Sequence, residues 1–108
     1  VNITTRAVTT TSDTFVLADA ENKLITYSST SATTITIPPE SSVAFPVGSV
    51  INVIKIGASG TTTITQGAGV TISSAGATAT APALNGAFAA ASCIKVATNT
   101  WYVVGKIA

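Results

Sequence analysis

Apolar residues alternate with polar ones along much of this chain, and the alternation has the period of two that marks a half-buried strand. In "ATTITI" (residues 32–37), Ile35 and Ile37 fall on one side, Thr34 and Thr36 on the other. "KLITY" (23–27), "TTTITQ" (61–66) and "VTIS" (70–73) read as further short strands. "SVINVIKI" (49–56) is apolar on both sides, with Ile51 and Val53 against Val50, Ile54 and Ile56. That pattern predicts a central strand, or one whose second face meets a partner subunit. "AFAAASCIKVA" (87–97) and "TWYVVGKI" (100–107) predict a hairpin around Asn99, with Trp101, Val103 and Ile107 on one face and Tyr102 and Val104 on the other. "TFVLA" (14–18) reads as a further short strand, separated from Lys23 by the polar turn "DAEN".

Breakers separate these runs. Pro38 and Pro39 end a strand because neither donates to a ladder. Phe45 precedes Pro46 and is therefore held extended, and Gly48 permits a tight turn. Pro38, Pro39, Phe45, Pro46 and Gly48 together form a structural motif, with Phe45 as a plug over one end of the core. "GASG" (57–60) reads as a hairpin turn and "GAG" (67–69) as another. Residues 74–85, rich in small side chains, fit either a weak strand or an irregular crossing.

About eight short strands at roughly ten-residue spacing predict an all-β fold: a small antiparallel β-sandwich, jelly-roll-like. It is expected to occupy residues 14–108 as one domain. Residues 1–13, Thr-rich with isolated apolar positions, read as an extended N-terminal arm. No repeat of 20–50 residues is visible, which argues against a solenoid.

Charge narrows the function. Charged residues make up 8% of the 108-residue chain, against ~25% in an ordinary soluble domain. The net charge is +1 and the five basic residues are scattered, so neither nucleic acid nor an anionic membrane is expected as a partner. The uncharged run 77–94 contains Pro82, Asn85 and Gly86 and is built of Ala and Thr, unlike a membrane span. The opening residues have no apolar segment of the signal-peptide kind. Between Lys55 and Lys95 there is no charge at all. A surface so neutral implies cover by another chain, or an unusual Thr/Ser/Gly surface.

Candidate chemistry is sparse. Histidine is absent, which removes the commonest general base and metal ligand. "SCIK" (92–95) has the Ser-x-x-Lys spacing of penicillin-recognising enzymes, but on a strand positions three apart point to opposite faces. Asp13, Asp19 and Glu21 have oxygen ligands suited to Ca²⁺, though turn chemistry explains Asp19 and Asn22 equally well. Cys93 reads as a buried structural thiol. Thr61, Thr63 and Thr65 line one strand face, as in ice-binding β-solenoids, yet without that fold's repeat. The expectation is a protein with no enzymatic activity, cofactor or metal.

The order "KLITY…TTITIPPESSVAFPVGSVINVIKIGASGTTTITQGAGVTI…AAASCIKVATNTWYVVGKI" resembles a module of bacteriophage virion structural proteins, among them tail fibres, spikes and particle-surface proteins. The likeness covers roughly Phe15 to Ile107 and departs in "APALNGAFAAAS" (81–92). It implies a β module, commonly trimeric, located in the virion after synthesis in the host cytoplasm. The resemblance does not fix the part of the particle; a 108-residue chain with one domain and a short extended arm reads as a capsid decoration or cement protein, with itself (a homotrimer) and the major capsid protein or another virion protein as expected partners. Val1, Ile3, Arg6, Val8, Trp101 and Tyr102 are then the candidate capsid or subunit contacts, Arg6 facing a capsid carboxylate. The alternative is a receptor- or glycan-binding tip of a tail fibre, with Trp101 or Tyr102 stacking on sugar.

Overall fold

The computed structural model of the chain describes residues 3–21, 23–57, 59–76 and 78–107. Ten strands form two sheets, and one hydrophobic core draws residues from both. The chain begins with β1 (Thr4–Val8), β2 (Ser12–Thr14), a 3₁₀ turn (Leu17–Ala20), β3 (Lys23–Tyr27) and β4 (Thr33–Ile37). It continues with β5 (Val50–Lys55), β6 (Thr61–Gln66), β7 (Thr71–Ser74), β8 (Ala83–Asn85), β9 (Ala90–Ala97) and β10 (Thr100–Gly105). The larger sheet has the order β1-β3-β5-β9-β10-β7, the smaller β2-β4-β6-β8.

The all-β, two-sheet expectation holds. The antiparallel, jelly-roll-like pairing does not. Five of the eight strand pairings are parallel: β1/β3, β3/β5, β2/β4, β4/β6 and β7/β10. Only β5/β9, β9/β10 and β6/β8 run antiparallel. The first six strands alternate between the sheets, so each returns to its own sheet in its original direction. They wind as a flattened coil, and "GASG" carries the chain from one sheet to the other instead of closing a hairpin. Thr4 pairs with Lys23, 19 positions on, but Leu24 pairs with Asn52, 28 positions on. The coils differ in length because their loops do, so the solenoid-like winding leaves no sequence period.

The expected arm is also corrected, because residues 4–8 and 12–14 are strands in the two sheets. Few apolar residues mark them, and charge holds them instead. Arg6 Nη1 and Nη2 donate to both Asp13 carboxylate oxygens at 2.9 Å, while Nε and Nη2 donate to Asp19 at 3.0 Å. Tyr27 Oη donates to Asp13 Oδ2 at 2.8 Å and the Val16 amide donates to Asp19 Oδ2 at 2.8 Å. This network joins β1, β2, the 3₁₀ turn and β3. The turn itself replaces the strand expected over 14–18, with Phe15 fully buried ahead of it.

The Pro38–Gly48 loop joins β4 to β5. Phe45 is buried and meets Trp101 edge-to-face, centroids 5.4 Å apart, an arrangement worth ~0.5–1.5 kcal/mol beyond area burial. The loop is fastened to the β9–β10 hairpin. Asn99 Oδ1 accepts from the Glu40 amide at 2.8 Å, and the Gly48 amide donates to the Lys95 carbonyl at 2.8 Å. Gly48 has φ +94°, a backbone that L side chains rarely adopt. The unassigned stretch supplies β8, paired with β6 through Leu84 and Thr62.

Candidate functional site

Strand alternation turns Arg6, Asp13, Lys55 and Lys95 inward. Lys55 shares its side of β5 with Ile51 and Val53 and is 1% exposed; Lys95 shares its side of β9 with Ala91 and Cys93 and is 2% exposed. Burying a cation costs several kcal/mol unless donors find partners. The Lys55 ammonium donates to the carbonyls of Gly57 and Ser59. The Lys95 ammonium donates to the Phe45 carbonyl and to Glu40 Oε1, the latter at 2.8 Å. Asp19 is fully buried under Arg6. Among the described residues no buried polar side-chain atom lacks a hydrogen-bond partner. The guanidinium of Arg6, held between two carboxylates, is raised further above its already high ordinary value. Burial, reinforced by Asp13, raises the Tyr27 phenol, and burial alone pushes the Cys93 thiol up to about 12.

What remains on the outer face of the six-stranded sheet carries no charged side chain. Cross-strand register builds three rows there: Ser73–Tyr102–Ile94–Val50, then Val104–Ser92–Asn52–Leu24–Thr5, then Ala90–Ile54–Thr26–Ala7. The polar pair at the centre is self-satisfied, Ser92 Oγ donating to Asn52 Oδ1 at 2.7 Å. Tyr102 and Val104 are half exposed, and Val50 is exposed too. At the β7–β10 edge of this sheet lies an open groove of ≈520 Å³, lined by Ser73, Tyr102 and Val104 from the outer side and by Val103, Gly105 and Ile107 from the inner side. A smaller cleft of ≈210 Å³ lies between the 3₁₀ turn and the loop before β5, lined by Leu17, Ala20, Glu21, Ala44, Pro46 and Ser49.

The candidate contact residues divide. Tyr102 lies on the neutral face and Ile3 is exposed beside β1, at the far end of the sheet from it. Val1 lies outside the described residues. Val8 and Trp101 are buried in the core, so neither reaches a partner: both have inward parity on their strands. Arg6 commits its guanidinium to Asp13 and Asp19, which corrects the expectation that it faces a carboxylate on another protein. The same bonds occupy the two aspartates offered as cation ligands. Ser92 faces out and Lys95 in, as strand geometry requires. Val50, Ile54, Ile94 and Val104 are the face residues that a reading of single strands underweights. Their signal is the second apolar side of β5, β9 and β10. Phe88, 65% exposed between β8 and β9, carried no periodic signal.

No protein family, curated protein or solved structure matches the chain. Among the described residues no helix is long and apolar enough to cross a membrane.

Proposed function

We propose that this chain is a non-enzymatic structural protein of a bacteriophage particle, decorating or cementing the capsid surface as an oligomer. The observation that carries this reading is the outer face of the six-stranded sheet, apolar across three strands and without a charge. Buried apolar area contributes roughly 25 cal/mol per Å² before association costs are subtracted. A neutral face brings no ion to be desolvated in the contact, so that further cost is not added. The resemblance of the "IPP…FPVG…WYVVG" order to virion modules supplies the setting. Copies of the same chain, in a homotrimer, and the major capsid protein are the proposed partners. Mass spectrometry and electron microscopy of purified particles test it. Stoichiometric copies on the shell are the expected result; a chain absent from particles and monomeric in solution overturns it.

A second reading rests on the groove beside Tyr102, where an exposed aromatic and the Ser73 and Ser74 hydroxyls adjoin. That combination suits a neutral sugar, as in a fibre tip. A glycan array separates the two readings: saturable binding lost in Tyr102→Ala favours the tip, and no binding favours the structural role.

A further inference from the structure

Phe88 and Asn99 are the described non-glycine residues with positive φ, at 61° and 53°. Asn99 explains itself. It turns the β9–β10 hairpin, asparagine tolerates the left-handed region, and its amide oxygen holds the Glu40 amide. Phe88 has no such account. A left-handed phenylalanine costs roughly 1–2 kcal/mol, and Gly or Asn would make the same turn more cheaply. The turn is fixed on both sides, by the Phe88 amide donating to the Lys55 carbonyl at 2.6 Å and by buried Ala89. Yet Phe88 is 65% exposed, so the isolated chain offsets little of the backbone strain by burying its aromatic surface.

The recovery lies outside the chain, and the molecule carries a matching surface. The groove beside β10 has Val104 and Ile107 as hydrocarbon walls and the Tyr102 ring at its side. The lining residues are uncharged. Gly105, at φ +134°, has no Cβ, and one would collide with the Ala90 carbonyl. Gly105 pairs with Ala91, and the Lys106 amide donates to the Ala90 carbonyl. The Phe88 loop and the end of the groove therefore sit at the same end of the neutral face. We propose that Phe88 of one copy inserts into the Tyr102–Val104–Ile107 groove of a second copy and anchors their association. This rests on the self-association reading above and names its central contact.

A second copy of this chain is the fitting occupant for two reasons. Knob and groove are both uncharged, so neither leaves an unpaired ion buried, and two aromatic rings meet favourably edge-to-face or offset. The area of the whole outer face comes close to what such a contact needs. Six strands ~4.8 Å apart, about five residues long at ~3.3 Å each, give a footprint of roughly 500 Å² per copy before side-chain relief is counted. Two copies approach the ~1,000 Å² expected of a specific interface. Within such a contact, aromatic side chains seated in apolar pockets hold most of the binding energy.

The test is sedimentation velocity of the intact chain over a concentration series, with Phe88→Asn and Val104→Asp alongside the wild type. Asparagine keeps the left-handed turn and removes the ring. Aspartate charges the groove wall at an exposed site. The wild type is expected to self-associate, and each variant to weaken the association at least tenfold. At high dilution Phe88→Asn should melt no lower than the wild type, and Trp101 fluorescence should stay native in both variants. A wild type that associates, with Phe88→Asn associating equally well, overturns the Phe88 contact and leaves the self-association reading intact. A wild type monomeric at every concentration overturns that reading itself.

Discussion

The two sheets show water two uncharged outer faces of different chemistry. On the four-stranded sheet the outward residues are hydroxyls in register: Ser12 beside Thr34 beside Thr63, and Thr14 beside Thr36 beside Thr65. Thr65 Oγ1 donates to the Ile35 carbonyl at 2.8 Å and lies 3.5 Å from Thr36 Oγ1. On the six-stranded sheet the equivalent positions include Val50, Ile54, Ile94, Tyr102 and Val104, around the polar Ser92–Asn52 pair. Neutrality alone therefore does not mark a hidden surface. A hydroxyl ladder is neutral and still bonds to water and backbone, whereas a hydrocarbon face gains only when water leaves it. The uncharged interval between Lys55 and Lys95 divides accordingly: β6 belongs to the hydroxyl face and β9 to the apolar one. Lys55 and Lys95 themselves are inside, on the opposite side of β5 and β9.

The sharpest division lies within β10, where neighbours point to opposite sides. Trp101→Ala removes a buried ring and is expected to lower unfolding free energy by about 3–5 kcal/mol. Tyr102→Ala should shift monomer stability by no more than ~0.5 kcal/mol while weakening self-association. Urea titrations of both variants, at a concentration where the chain is monomeric, check this; equal losses would erase the inside–outside distinction.

Charging the faces is the next largest effect. Ile54→Lys should weaken self-association about 100-fold, the scale of a hot-spot loss, and Thr63→Lys less than about twofold. Sedimentation equilibrium reads both. Comparable losses would mean that the hydroxyl face is an interface too.

Alkaline pH tests where the titrating groups are. Tyr27 is raised above its ordinary 10.0, so its contribution is complete below pH 10. As pH rises further, the unfolded chain releases the phenol proton first and stability falls. Cys93, lifted from 9.0 to about 12, adds the same sign of dependence from pH 9. Each group contributes at most ~1.4 kcal/mol per pH unit. The urea midpoint should fall between pH 9 and 11.5, less steeply in Tyr27→Phe; an unchanged slope in that variant would remove Tyr27 from the account.

The smallest effect belongs to the hydroxyl ladder. Thr65→Val deletes one half-buried hydrogen bond and should cost about 1 kcal/mol, measured by thermal melting. A loss several times larger would make the ladder a principal support of the smaller sheet.

Much of this molecule was legible along the chain. Strand-forming runs between turn residues located β3 and β6 to the residue, and alternation set the parity of β4, β5, β9 and β10, because side-chain direction in a strand is a local property of the backbone. The Pro38–Gly48 motif was readable for the same reason, since proline and glycine act on their own dihedrals. Strand direction was not, because a strand of given alternation pairs as well with a parallel neighbour as with an antiparallel one, and coils of 19 and 28 positions left no period to find. β1 and β2 were hidden because Arg6, Asp13 and Asp19 bind them through charges that mean nothing until folding brings them together. The burial of Lys55 and Lys95 was not legible, since a lysine stays inside only where carbonyls or Glu40 meet its ammonium. The sequence alone determined which side chains each strand turns to either side. Only the tertiary structure decided which of those sides became core, hydroxyl ladder or open apolar face, because that depends on which strands the loops set side by side.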